Sequence, residues 1–438
     1  MLKRLCLMLM ALCLASAAQA RGLLRDPDIE YALGRLAAPI LAAAGLNTGG
    51  VRIVLVNDRE PNAFVLDNNH IFIHSGLILK LENAAQVQAV IAHEVAHITG
   101  GHLVRRATNM QSANITTALG IALSGVAMAA GAGEAAPGIA LGMAGTAQRV
   151  LFGHTRAEEA AADQAGIRYM AAAGVPPEAM LEVLDIFRGQ EVLAESRQDP
   201  YARSHPLSRD RLRALRGYAA ASKVTRNSDA EADYWYARAK GKLEAFTRPP
   251  SFTLSRVKAS DTSDIGLMRR AVALHRKPDQ KAAIATINQL VATRPNDPYY
   301  AELQGQILLE SRQFTAAVAA YRRAAAKLPR EAQVQAGLGR ALLATGDATA
   351  AVKALDAARA REPWDAGTLR FLAQAYAQTG NQGMATLTAS EARLLSGDPK
   401  AALPLAKRAA AALGHGSVGW RRAQDVIDAS EKALAGRK

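Results

Sequence analysis

His93 and His97 stand four residues apart with Glu94 beside the first, inside an apolar run over residues 87–98. On a helix a four-residue step returns to the same face one turn on, so both imidazoles can reach one Zn²⁺. Glu94 then points alongside the metal, where a carboxylate can take a proton from a bound water. The bland alternative is a helix with two surface histidines and an unrelated glutamate, and these five residues alone do not separate the two.

A catalytic zinc of this kind takes three protein ligands and keeps one position open. Cysteine is not expected to supply the third. Both cysteines, Cys6 and Cys13, fall inside residues 1–20, where Lys3 and Arg4 precede an apolar core and Ala18-Gln19-Ala20 offers a cleavage site. That pattern reads as a secretory signal, so the mature protein is expected to carry no thiol and no disulfide. The remaining candidates are the carboxylates within residues 156–163 and the imidazole of His205. His102 lies five residues past His97, about 140° round a helix, and is not expected to be a ligand. His70 and His74 read as surface residues of a hairpin.

The elements that must position these groups follow from periodicity and breakers. Residues 29–46 read as an amphipathic helix, residues 51–56 as a strand, and residues 62–66 and 71–74 as a β-hairpin about Asp67-Asn68-Asn69-His70. Gly100-Gly101 closes the helix of His93 and His97. Residues 107–133 and 135–148 contain no charge. Two short apolar helices meeting near Glu134 and Pro137 are expected there, either packed, or acting as a lid or membrane-touching hairpin. A span across residues 115–147, which would make the protein membrane-embedded, needs about 20 strongly apolar residues, and the glycines and threonines argue against it.

The C-terminal part repeats. Pro295, Pro329 and Pro363 are separated by 34 residues, in register with Gly305, Gly339 and Ala373, with Ala283, Ala317, Ala351 and Ala385, and with Tyr321, Leu355 and Ala389. This resembles the tetratricopeptide repeat, two antiparallel helices per unit with small residues where they cross. The match is best over residues 298–363 and weak after Gly397, with Trp420 in a capping helix. The division expected is a signal at 1–20, a catalytic domain at 21–217, a connecting helix and linker at 218–263, and helical repeats with a cap at 264–438.

The chain of 438 residues has a formal charge of +14, and its last 175 residues hold 25 basic against 15 acidic groups. Nucleic acid is not an expected partner of an exported protein. An anionic membrane surface, lipopolysaccharide or acidic clients suit that charge, as does a plain solvated surface.

Taken in order, Asn62-Ala63-Phe64, Gly76-Leu77, His93 to His97, Arg156-x-x-Glu159-x-x-x-Asp163 and Ser204-His205-Pro206 resemble the M48 family of metallopeptidases. With the signal and the repeats, they resemble its periplasmic protease–repeat branch over nearly the whole mature chain. The fold so implied is mostly α: a zincin-like metalloprotease domain of helices plus a small β-sheet or hairpin, then an all-α repeat solenoid. The resemblance implies one Zn²⁺ per chain held by His93, His97 and Glu159, with Glu94 as general base. Asp163, one turn from Glu159, would accept a hydrogen bond from a ligand imidazole. Glu158 would be a solvent-facing neighbour, and Ala161 stands where many relatives have another acid. His205 would approach the metal and take the water's place, holding the enzyme quiet.

The chemistry expected is peptide hydrolysis, with substrate extended along Ile71, Phe72, Ile73 and His74 and read by backbone pairing. By the resemblance, the clients are misfolded or stalled outer-membrane β-barrel proteins in the periplasm. The partners are the outer-membrane assembly machinery, reached through the repeats, or lipopolysaccharide-export components, with possible peripheral membrane contact. The rival reading is a non-proteolytic periplasmic chaperone or adaptor that keeps zinc for structure.

Overall fold

The computed structural model describes residues 22–103, 156–190, 193, 197–206, 208–224 and 229–435. The expected signal and the uncharged stretch with its candidate span at 115–147 lie outside the described residues. Among the described residues no helix is long and apolar enough to cross a membrane.

A four-stranded sheet and a stack of helices form the N-terminal unit. The strands are β1 (Leu23–Leu24), β2 (Arg52–Val56), β3 (Ala63–Val65) and β4 (His70–His74), in the order β1-β2-β4-β3. The expected hairpin is present as the antiparallel β3–β4 pair. Its turn is held by the Asp67 carboxylate, which accepts from the Asn69 and His70 amides at 2.7 Å each, the local bonding that favours Asp in turns.

Two expectations about β4 need correction. Residues Ile71 to His74 cannot receive a substrate strand, because β4 pairs in parallel with β2 on one side and with β3 on the other. Ile71 to Ile73 are paired on both sides, and the outer strand on that side of the sheet is β3, whose three residues are buried. Nor is His74 a surface residue. It is buried, and its Nδ1 donates to the Glu60 carbonyl at 2.9 Å. His70 is partly exposed and pairs with Asp67 at 2.8 Å.

The helix Ala84–Thr99 begins at Asn83, whose side chain accepts from the Gln86 amide, satisfying one of the first-turn donors. Residues 86–98 are all buried, a helix apolar on every side, which is how a central core helix reads. Helices Pro27–Ala43, Arg156–Ala172 and Glu178–Ile186 pack around it. Gly166 sets the approach of one neighbour: a Cβ there would sit 3.4 Å from the Ala92 backbone and 2.9 Å from Met180 Cε. That close crossing brings the first turn of Arg156–Ala172 over the histidines.

The repeat register is visible in the helix starts. The leading helices begin at Asp264, Pro298, Ala332 and Ala366, and the trailing ones at Gln280, Phe314, Ala348 and Gln382, each a step of 34. A fifth pair, Pro399–Ala412 and Val418–Ala435, departs from that step, which is why the sequence repeat fades after Gly397. Small and large slots interlock: a Cβ at Gly305 or Gly337 would strike the Tyr321 ring, and one at Gly339 would lie 2.4 Å from Leu355 Cγ. The sequence spacing records this crossing contact.

Helix Ala230–Thr247 joins the two parts as a shared wall. Tyr236, Ala239 and Leu243 belong to the N-terminal core and Ala245 to the first repeat core. Two buried cations on it tie the parts together. Lys242 Nζ lies 2.8 Å from Asp26 and 3.6 Å from Asp28, and Arg238 reaches Asp28 at 2.7 Å and Asp297 at 2.6 Å. Farther along, Glu362 is held by Arg25 at 2.6 Å and Arg52 at 3.0 Å. Part of the array surface expected to receive a partner is therefore occupied by the chain's own N-terminal unit.

Candidate metal centre

His93 and His97 present their Nε2 atoms 3.1 Å apart from one face of the central helix. Helix Arg156–Ala172 lowers Glu159 onto them. Its buried positions Glu159, Ala162, Asp163, Gly166, Ile167 and Met170 follow one helical stripe. Glu159 Oε2 lies 3.4 Å from His93 Nε2, and Oε1 lies 3.4 Å from His97 Nε2. The turn after the short helix Pro200–Ser204 supplies His205, whose Nδ1 is 3.2 Å from His93 Nε2 and 3.1 Å from Glu159 Oε1. One ligand atom from each of these four buried residues lies within 4.8 Å of the others.

The donor set fits zinc. Four ligand atoms at about 2.0–2.1 Å from a common centre are about 3.3 Å apart in a tetrahedron, and His93 to His97, His93 to His205 and Glu159 to each of the three imidazoles lie 3.1 to 3.4 Å apart. Two imidazoles and a carboxylate are the ligand types of a catalytic zinc, and a third imidazole completes four. Both Glu94 oxygens are also buried without a hydrogen-bond partner, Oε1 lying 3.4 Å from His205 Nε2, and a buried carboxylate of this kind costs a native fold unless a cation or water answers it.

The outward nitrogens of the ligand rings are both engaged. His93 Nδ1 is 3.1 Å from Asp163 Oδ1, and His97 Nδ1 is 2.8 Å from His102 Nδ1. Each partner can hold the tautomer that turns Nε2 inward. His102 lies outside the four-residue cluster, as expected, but its role was not legible. The helix ends at Thr99, Gly101 adopts a positive φ of 62°, and the chain doubles back so that the ring meets His97. Helical geometry extended past Gly100 would have sent it elsewhere.

Arg211 was also missed. Its Nε and Nη2 donate to the two Asp163 oxygens at 2.7 and 2.8 Å, and its Nη1 donates to the Pro206 carbonyl at 2.8 Å. Nη1 also lies 2.8 Å from Glu159 Oε2, as an ion pair outside hydrogen-bond alignment. The only sequence signal was an arginine on the helix that follows Ser204-His205-Pro206. Glu158 is half-buried at the edge of the same helix as Glu159.

Electrostatics divide the cluster. Burial opposes charge on His93, but Glu159 and the Asp163 hydrogen bond outweigh it and hold its pKa up at about 10. Burial takes His97 down to about 3 against the pull of Glu159. Burial raises Glu94, while Glu159 is carried well below the carboxylate range by His205 and His93 despite its burial. Without a metal, the His93 imidazolium therefore serves as a counter-charge to the carboxylates.

Residues 24–219 match the family model described as Peptidase family M48, and residues 302–366 match that of the tetratricopeptide repeat. A putative beta-barrel assembly-enhancing protease of Vibrio cholerae is 28% identical over 64% of this chain and 58% of its own length. The beta-barrel assembly-enhancing protease of Escherichia coli K12 is 30% identical over 46% of this chain and 42% of its own length. The chain thus spans about half the length of these curated relatives. Among solved structures, MamA from Desulfovibrio magneticus is 16% identical over 36% of this chain and 92% of its own, with a TM-score of 0.33. Residues 24–219 are accordingly an M48 peptidase domain, followed in the same chain by tetratricopeptide repeats.

Proposed function

We propose that this chain is an exported zinc metalloendopeptidase that degrades misfolded or stalled outer-membrane proteins in the periplasm and assists their assembly. The observation that carries the reading is the buried set His93, His97, Glu159 and His205 with the buried Glu94 carboxylate beside it, which makes no hydrogen bond and has Oε1 3.4 Å from His205 Nε2. The names of the two bacterial relatives support the client class, and the repeats support a route to the outer-membrane assembly machinery. The basic repeat region suits peripheral contact with an anionic membrane.

Zinc held by His93, His97 and Glu159 would acidify a water and polarise the scissile carbonyl. Glu94, with its pKa raised by burial, would take a proton from the attacking water and return it to the leaving amine. Asp163 and His102 keep the two imidazoles oriented. An extended client would pair along β3, the outer strand of the sheet on that side, once His205 leaves the Ala63 carbonyl, a mode that reads backbone conformation more than sequence. His205 opposes this twice: its Nδ1 lies 3.2 Å from His93 Nε2 and 3.1 Å from Glu159 Oε1, among the atoms that would hold the metal, and its Nε2 lies 3.2 Å from the Ala63 carbonyl on that strand.

The test pairs zinc content with casein cleavage for the mature protein, Glu94→Gln and His205→Ala. About one zinc per chain, with cleavage lost in Glu94→Gln and raised in His205→Ala, supports a self-restrained protease. A second reading is favoured by the closed four-residue set, since structural zinc sites have four protein ligands. Zinc bound without cleavage by any variant, while aggregation of a denatured client is still suppressed, would make the protein a chaperone on a protease frame.

A further inference from the structure

Arg211 is buried at 3% exposure on helix Arg209–Ala221 and spends one guanidinium on three different parts of the site. Two parallel bonds fix the Asp163 carboxylate, which itself meets His93 Nδ1. Nη1 lies 2.8 Å from Glu159, a candidate metal ligand. The same Nη1 donates to the carbonyl of Pro206, the residue directly after His205. The planar fork makes such multidentate geometry specific to arginine, because an ammonium offers the charge without the fixed directions.

We propose that Arg211 is a positioning residue that couples the docking of His205 to the orientation of Glu159 and Asp163. The Pro206 contact makes the turn and the ligand set one mechanical unit. When the turn carrying His205 lifts away, Nη1 loses its backbone acceptor and can give its full interaction to Glu159. Release of the restraining imidazole therefore strengthens the hold on the carboxylate ligand, so the site stays assembled as it opens. This deepens the zinc reading of the cluster and rests on it.

The test is a double-mutant cycle on full-length mature protein, reading zinc affinity by chelator competition in wild type, Arg211→Lys, His205→Ala and the double variant. Folding of each apo protein is checked by thermal melting. Arg211→Lys is expected to bind zinc about 10- to 100-fold more weakly. The product of the single losses should differ from the double loss by at least about fivefold, since contacting groups couple. Equal Arg211→Lys losses in both backgrounds, or a lysine variant with wild-type affinity, overturn the proposal. Wild-type protein that binds no zinc overturns the zinc reading and this inference with it.

Hydrogen exchange on the wild type covers the case of a lysine variant that does not fold. Zinc should slow exchange both at the His205 amide, which bonds the Tyr201 carbonyl at 2.9 Å, and at the Arg211 amide, which bonds Ser208 Oγ. Protection of the His205 turn with no change at Arg211 counts against the coupling.

Discussion

The imidazole of His205 bridges Glu159 and Ala63: Nδ1 is 3.1 Å from the Glu159 carboxylate, and Nε2 is 3.2 Å from the Ala63 carbonyl. One ring thus completes the cluster of four candidate ligands and caps a carbonyl on the outer strand of the sheet. His205→Ala should therefore change two kinetic constants. An opened ligand position raises kcat, and a freed edge carbonyl lowers KM for an extended peptide. Steady-state kinetics on a fluorogenic peptide checks this, and a change in kcat alone would sever the link to β3.

Glu94→Gln keeps the shape of the side chain and removes the base. Cleavage should fall by about 10²–10⁴-fold, while zinc content stays at the wild-type level because Glu94 belongs outside the ligand set. Metal analysis beside the activity assay separates loss of the base from loss of the site.

Metal binding should release a proton. With its pKa held up at about 10 in the absence of metal, His93 carries a proton at neutral pH. Zinc must displace it, so apparent affinity should rise about tenfold per pH unit between pH 6 and 9. Calorimetry in buffers of different ionisation enthalpy counts the proton directly, and a pH-independent affinity would contradict this assignment.

The ionic seam on helix Ala230–Thr247 should contribute to stability, since its cations are buried between the two parts of the chain. Lys242→Met leaves Asp28 with Arg238 as its one remaining cation among the ion pairs described. Breaking a buried pair in this way costs about 3–5 kcal/mol, read by chemical denaturation.

The same seam predicts a pH dependence. Burial pushes Glu302 up to about 8, with Lys242 opposing and Asp26, Asp28 and Glu331 adding to the rise. The folded state then keeps a proton that the unfolded state loses near the ordinary glutamate value of 4.5. Its contribution to stability is complete below that lower value and disappears as pH rises through about 8. Glu302→Gln should flatten the stability profile across that window.

His93-Glu94-x-x-His97, the Glu159–Asp163 spacing and the 34-residue step were legible because each is local. A helical turn or a repeating crossing contact dictates residue spacing, and spacing is what a sequence displays. Glu159 reached the histidines because Gly166 lets two helices cross closely, a contact between residues over 70 positions apart. Tertiary structure alone decided that β4 lies between β2 and β3 and so cannot take a substrate strand. It also turned His102 back onto His97, joined Arg211 to both carboxylates and to Pro206, and buried Lys242 and Arg238 between the two parts of the chain. Those features depend on which elements become neighbours. Neighbourhood is settled by burying apolar surface across the whole chain and answering the charges buried with it, and no local pattern of residues encodes that sum.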